Sequence, residues 1–190
     1  MYKEILETKD LILKKASMDD LESIYKNYWS DEKSAKYMLW KVTKSIDEAR
    51  EKLNRSIEFQ KDKPGYFIYE KSSGEVIGVA GIMEIESGVF DDTGIGMGMK
   101  YTGKGYGKQI LFCFMEYIFN ELNAKKFICS CFRENEPSRK LQLAMGFKYF
   151  ESSNKIRGFD NYKYVCDSHV ITRDEFNKLK LQNYYKNIEK

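Results

Sequence analysis

DDTGIGMGMKYTGKGYGKQIL, residues 91–111, runs from a strand-like segment through a glycine-rich turn into an amphipathic helix. A helix start leaves backbone N–H groups without intrahelical partners and carries the positive end of the helix dipole, so it is a ready site for phosphate. Gly103, Gly105 and Gly107 remove the side chains that would hold a pyrophosphate off the backbone, and Lys104 and Lys108 flank them with positive charge. Beyond the turn, Tyr106, Ile110, Leu111, Phe114, Met115, Ile118, Phe119 and Leu122 recur at helical spacing and predict one core-facing stripe. A dinucleotide fingerprint would need G-x-G-x-x-G and a later acidic residue, whereas the spacing here is G-x-G-x-G. Gly98 to Lys104 fits the first seven positions of a nucleoside-triphosphate loop, but Gly105 stands where the magnesium-binding hydroxyl belongs.

Thr102-Gly103-Lys104-Gly105-Tyr106-Gly107 resembles the coenzyme A turn [RQ]-x-x-G-x-[GA] of the GNAT N-acetyltransferases, departing from it at the first position. The flanks extend the likeness. Asp91 to Leu111 aligns without a gap to A-E-I-G-Y-W-I-H-P-D-Y-W-G-K-G-Y-A-T-E-A-L, common in the ribosomal-protein N-terminal alanine acetyltransferase branch. Asn135-Glu-Pro-Ser138, followed by Gly146-Phe147, resembles the family's N-x-x-[SA]…G-F segment. Glu7-Thr8-Lys9-Asp10-Leu11-Ile12-Leu13-Lys14 resembles its opening E-T-x-R-L-x-L-R. The resemblance covers roughly residues 7–171.

The resemblance implies an α/β architecture with a mixed sheet, the GNAT acyl-CoA N-acyltransferase fold. The expected order is β-α-α-β-β-β-α-β-α-β-β plus a C-terminal helix. It also implies acetyl-CoA as cosubstrate, bound by Thr102, Gly103, Lys104, Gly105, Tyr106, Gly107 and Lys108, by the main chain of Ile95 and Met97, and by Asn135. The implied reaction is direct attack of a neutral primary amine on the acetyl thioester. An alkyl ammonium titrates near 10, so a base or a water-linked proton path is needed at neutral pH. Asp92 occupies the family's glutamate position, with Glu84 and Glu86 in reserve; as a bland alternative, Asp92 is a solvated hairpin residue. A backbone N–H near Met97 would polarise the thioester carbonyl. Gln142 stands where many relatives place a proton-donating tyrosine and cannot act as an acid. The proton on the leaving thiolate would then come from water, Ser138 or another tyrosine. Tyr37, Trp40 and the region from Arg157 to Tyr164 are the acceptor-side candidates, for a protein N-terminus or a small-molecule amine.

Two rival functions follow from the departures at Thr102 and Gln142 and from the partial triphosphate loop. One is a catalytically silent acyl-CoA sensor, the other a nucleotide-binding regulator. Turnover with an amine panel separates the enzyme from the sensor, and magnesium-dependent ATP binding identifies the regulator.

Composition sets the outer limits. With 190 residues, 42% apolar and 15% aromatic, the chain is expected to form one domain, 1–190, able to bury about 70% of its unfolded surface. A formal net charge of +3, with charges interleaved, is no nucleic-acid footprint. The longest run without a polar residue, Val76 to Met83, is far short of the roughly 20 residues of a membrane span, and the acidic N-terminal residues do not resemble a secretory signal. A cytoplasmic monomer or homodimer is expected. Cys113, Cys129, Cys131 and Cys166 form no C-x-x-C, and with the lone His169 they predict buried thiols and no metal.

Local signals place the remaining elements. Leu11 to Lys15 reads as a strand and Ser17-x-x-Asp20 as a helix start. Ser45-x-x-Glu48 is a capping box opening a helix to about Asp62. Tyr66 to Lys71, Glu75 to Glu86 and Asp92 to Met99 read as strands, with a hairpin turn at Ser72-Ser73-Gly74. Lys126 to Phe132 is a buried strand, Asn135 caps a helix to about Met145, and Phe147 to Ser152 and Tyr162 to Ile171 close the sheet. Thr172-Arg-Asp-Glu175 opens a polar helix over 173 to about 187, and residues 172–190 form a helical extension beyond the resemblance.

Overall fold

A computed structural model describes residues 2–189. Eight strands form one sheet in the order β1-β2-β3-β4-β5-β6-β8-β7, antiparallel at β1–β2, β2–β3, β3–β4, β6–β8 and β7–β8 and parallel at β5–β6. The mixed α/β architecture is the one the resemblance implies. The chain divides into two compact units, residues 1–81 with 93–106 and residues 82–92 with 107–190.

The first unit begins with β1 (Ile5–Glu7) and β2 (Leu11–Lys14), an antiparallel pair where the sequence predicts only the second strand. Three residues, of which only Leu6 is buried, are too short for an alternation signal. Ser17 then starts a helical run whose N-cap N–H donates to Asp20 Oδ2 at 2.7 Å. The run has a 3-10 turn, Met18–Asp20, then α1, Leu21–Ile24, and a π-turn, Tyr25–Trp29. A short α2 (Glu32–Ala35), capped by Asp31, precedes α3 (Ile46–Gln60). The α3 cap is modified relative to expectation: Ser45 Oγ accepts from Glu48 N–H, but the Glu48 carboxylate accepts from Lys44 N–H, one residue further back. Tyr28, Trp29, Leu53, Phe67 and Val76 share the apolar core that fastens these helices to β3 (Gly65–Glu70) and the start of β4 (Val76–Glu86). From Thr93 onward, β5 (Val89–Met97) belongs to this unit.

The second unit holds the start of β5, α4 from Gly107 (the helix spans Tyr106–Asn120), β6 (Lys126–Phe132), α5 (Glu136–Ala144), β7 (Lys148–Arg157) and β8 (Tyr162–Thr172). The predicted stripe on α4 is core: Ile110, Phe114, Met115 and Ile118 are fully buried. Asn135 caps α5 by accepting from Ser138 N–H. At the other end, Gly146 at φ +90° lets Phe147 N–H reach Gln142 O and Gly146 N–H reach Leu143 O, the paired bonds of a Schellman stop. The β7–β8 hairpin is longer than predicted, reaching Arg157, whose guanidinium clamps Asp160 across the turn at 3.0 and 2.6 Å.

The C-terminal extension departs from the sequence reading. Thr172 and Glu175 form the expected capping box, but α6 ends at Leu181, Asn183 turns the chain at φ +58°, and α7 (Lys186–Glu189) follows. It is also less polar in effect than its composition suggests. Phe176 is fully buried and Tyr185 nearly so; both pack on Phe112 of α4, and Tyr185 Oη donates to Met145 O. Truncating a buried phenylalanine to alanine costs about 3–5 kcal/mol. Phe176→Ala is therefore expected to lower the urea unfolding midpoint of the protein markedly, and an unchanged midpoint would show that the extension is dispensable.

Candidate functional site

The glycine turn is built in two different ways. Gly103 and Gly105 have φ of +78° and +83°, the left-handed region that L side chains avoid, and a side chain at either would point into open space. Residues 102–105 are exposed and lead directly into α4. Gly107 is different: it lies inside the first helical turn, where a Cβ would meet Leu141 of α5 at 2.7 Å. Gly103 and Gly105 thus set the shape of an exposed turn at the start of α4, while Gly107 admits a neighbouring helix.

Upstream, Gly96 and Gly98 serve packing. A Cβ on Gly96 would overlap the Tyr28 hydroxyl, and one on Gly98 would overlap the Asn27 carbonyl. Gly96 and Gly98 therefore allow the first helical run to press on the end of β5. Met97 O accepts from Ser34 Oγ, while Asp31 Oδ2 and Ser34 Oγ both accept from Met99 N–H, fixing the main chain where β5 ends. Ile95 and Met97 lie half-buried on this strand. Thr102 Oγ1 donates to Met99 O, so its hydroxyl is used within the turn.

Lys104 and Tyr106 meet on a residue that sequence reasoning missed. Glu70, buried at the end of β3, accepts from Tyr106 Oη at 2.6 Å, Lys104 Nζ at 3.0 Å and Ser73 Oγ at 2.9 Å. The tyrosine bond, followed by the lysine and serine contacts, outweighs burial and holds its carboxyl down to about 2. Burial and the Glu70 carboxylate push the Tyr106 phenol up to about 12. Only the long-range fold brings residue 70 to the turn, so no local signal could reveal it. With the folded value below the unfolded one, Glu70 stabilises the protein above about pH 4.3, and this contribution is lost as pH falls toward 2. Glu70→Gln is expected to cost about 2 kcal/mol at neutral pH and to flatten the acid limb of the stability curve between about pH 5 and 2. Equal acid sensitivity in both proteins would count against this assignment. Lys108 is exposed on the first turn of α4.

In the second unit, the β5–β6 ladder has three residue pairs, Val89–Lys126 to Asp91–Ile128, and β6 continues along β8. Adjacent residues in a strand point to opposite faces. Asp92 accepts from the Cys129 thiol, whose pKa is raised well above its usual value by burial first and by Asp92 in addition. Cys131, two residues on, hydrogen-bonds Ser138 of α5, and Ser138 Oγ also accepts from Gln142 Nε2 at 3.2 Å. Asn135, Ser138 and Gln142 therefore form a linked polar row beside β6, and Gln142 is buried. Asp91 points the other way. Its Oδ1 is buried without a hydrogen-bond partner, and burial raises its pKa. Sequence reasoning passed over it as Asp92's neighbour. Glu84 closes the β4–β5 hairpin by accepting from Gly88 N–H at 2.8 Å, and Glu86 is exposed nearby.

Of the two aromatic candidates, Trp40 lines a cavity of about 330 Å³ within the first unit, together with Trp29, Lys52, Tyr66 and Gly94. Tyr37 is not among its lining residues; Lys36 Nζ lies 4.8 Å from its ring centroid. Among the described residues, no three His, Cys, Asp or Glu side chains converge on a possible metal site, and no helix is long and apolar enough to cross a membrane.

Comparison with known proteins gives a consistent result. Residues 10–148 match the family model described as an acetyltransferase (GNAT) domain. The chain is 29% identical over 151 residues to the uncharacterized N-acetyltransferase p20 of Bacillus licheniformis, covering 76% of this chain and 83% of the relative. Among solved structures, it superposes with a TM-score of 0.85 on a GCN5-related N-acetyltransferase from Brucella melitensis, at 20% identity, covering 98% of this chain and 86% of that one. A spermidine N-acetyltransferase from Vibrio cholerae, solved in complex with CoA and spermine, superposes with a TM-score of 0.70 at 18% identity, covering 88% and 98%.

Proposed function

The chain belongs to the GNAT acetyltransferase family, and from that premise we propose that it transfers the acetyl group of acetyl-CoA to a primary amine by direct attack. The amine nitrogen bonds to the acetyl carbonyl carbon, the carbon–sulfur bond breaks, and the products are an acetamide and free coenzyme A. The observation that carries this reading is the exposed turn at Gly103 and Gly105, whose left-handed backbone opens α4 with space in front of it. Acetyl-CoA supplies the activated acetyl group; a pyrophosphate fits that turn because no side chain stands between it and the backbone.

The chain's own groups divide the remaining work. Lys108 adds positive charge beside the turn, and the Glu70 contacts to Lys104 and Tyr106 hold its shape. Main-chain groups of Ile95 and Met97 would bind the pantetheine arm, with Thr102 and Asn135 as further coenzyme contacts. Asp92 would accept the ammonium proton through water, being one methylene shorter than the glutamate of the family pattern. The Cys129 thiol donates to Asp92 and so orients its carboxylate. Ser138, held by hydrogen bonds to Asn135, Cys131 and Gln142, would return a proton to the departing thiolate.

The acceptor is a protein N-terminus or a small-molecule amine. The decisive experiment follows free thiol release from acetyl-CoA with a panel of peptides, amino acids and polyamines. Release that depends on one amine class is the expected result. Tight acetyl-CoA binding with no thiol release across the panel would replace the enzyme with a silent acyl-CoA sensor.

A further inference from the structure

Lys52 is the group that the reading above leaves without a task. It lies on α3, and its Nζ is buried with no hydrogen-bond partner. The amine rests against two indole faces, 3.7 Å from the Trp40 ring centroid and 4.7 Å from that of Trp29. An unpaired buried ammonium is costly, because it gives up water without gaining a counter-charge. Burial, with Arg55 adding to it, accordingly lowers the lysine to about 7.

The surroundings indicate what would complete it. Lys52 and Arg55, three residues apart on α3, both line the 330 Å³ cavity, and its lining contains no Asp or Glu. Most of the rest is aromatic or apolar: Trp29, Trp40, Phe59, Tyr66 and Phe67 are among the walls. Gly94 of β5, at φ +105° with open space where a Cβ would point, keeps one wall clear. The volume lies near the lower end of the roughly 300–1,000 Å³ of small-molecule sites. A polyamine would bring several positive charges to a lining that holds two basic side chains and no Asp or Glu; the Glu51 carboxylate, 3.9 Å from the Arg55 guanidinium, is exposed on α3 outside that lining. A phosphate dianion would need more donors than one buried amine and an arginine at the rim.

Resting on the acetyltransferase reading, we propose that this cavity receives the amine acceptor and that Lys52 selects one carrying a carboxylate on a flat, apolar body, such as an aromatic amino acid. The aromatic walls cover the body, and the carboxylate pairs with Nζ once the lysine chain swings from the Trp40 face into the cavity. The amine nitrogen is already buried in the free protein, which favours a partner of opposite charge over water. Lys52 is on this account a specificity-determining residue, and the carboxylate it binds need not take part in the chemistry.

The test compares L-tryptophan, tryptamine and spermidine by calorimetry, using the full chain with acetyl-CoA analogue present, for wild type and Lys52→Met. Methionine retains an unbranched apolar chain, and a thermal melt confirms folding. Wild type is expected to bind tryptophan at least tenfold more tightly than tryptamine and spermidine, with the preference collapsing toward unity in Lys52→Met. Arg55→Gln, at an exposed rim position, provides a second variant if Lys52→Met fails to fold; it is expected to reduce the same preference partially. Equal or tighter binding of tryptamine or spermidine, no binding of any of the three, or an unaltered preference in both variants overturns the proposal. Free thiol release, measured separately, keeps the two readings apart. Thiol release with spermidine but no carboxylate preference sinks the Lys52 proposal alone. Tight tryptophan binding without thiol release from any amine sinks the transferase reading alone.

Discussion

Gly105→Val is expected to weaken acetyl-CoA binding by about 100-fold or more, read by calorimetry on a protein that still melts cooperatively. Two effects act together. The wild-type backbone is left-handed at φ +83°, which a β-branched residue avoids, and the new side chain would stand in the open space before the turn. Losing two charge-assisted amide–phosphate bonds at about 1.5 kcal/mol each already gives that factor. Gly105→Asn separates the causes, since asparagine tolerates the left-handed backbone while still filling the approach. Gly107→Val is the wrong variant for this purpose, because its clash with Leu141 would disturb helix packing first. Unchanged affinity in a folded Gly105→Val protein would remove the turn from the coenzyme site.

Asp92→Asn should lower turnover by about 10²-fold or more near pH 7 while leaving acetyl-CoA affinity nearly unchanged, as for loss of a general base. Asparagine retains an oxygen to accept from the Cys129 thiol, so the fold is expected to survive. Activity should partly return at high pH, where more of the amine is already neutral. Asp91→Asn is the necessary comparison, because Asp91 is the carboxyl that burial raises and leaves with an unpartnered oxygen. Full activity of Asp92→Asn from about pH 6 to 9, with loss in Asp91→Asn, would move the base one residue back. If neither variant changes the rate, the ammonium proton leaves through water.

How far the sequence could be read depended on whether a signal was local. The strand Lys126–Phe132 matches its predicted bounds because its cue, a short apolar-rich stretch, lies within its own seven residues. The caps at Ser17, Asn135 and Thr172 were legible for the same reason: each closes within three residues. Glu70 and Lys52 were not legible. Lys52 lies in REKLNRS, a stretch that looks like a solvated helix face, and only the indoles of Trp29 and Trp40 bury its amine. Gly98 reads in the sequence as the start of a partial triphosphate loop, yet the absent side chains of Gly96 and Gly98 make room for Tyr28 and Asn27, some seventy residues earlier in the chain. The buried side of the extension was hidden too, because two aromatic anchors, Phe176 and Tyr185, are widely spaced among polar residues.

That extension also governs when the second unit can mature on the ribosome. Domains commonly fold as they emerge, from the N-terminal side first. The hydrophobic face of α4 emerges early, but Phe112 has no cover from Phe176 and Tyr185 until more than sixty further residues have been synthesised. Meanwhile the nascent chain displays a greasy helix to its surroundings. A pause or premature stop within residues 121–172 would leave that helix unshielded, so truncated translation products of this protein should be sticky substrates for chaperones and proteases.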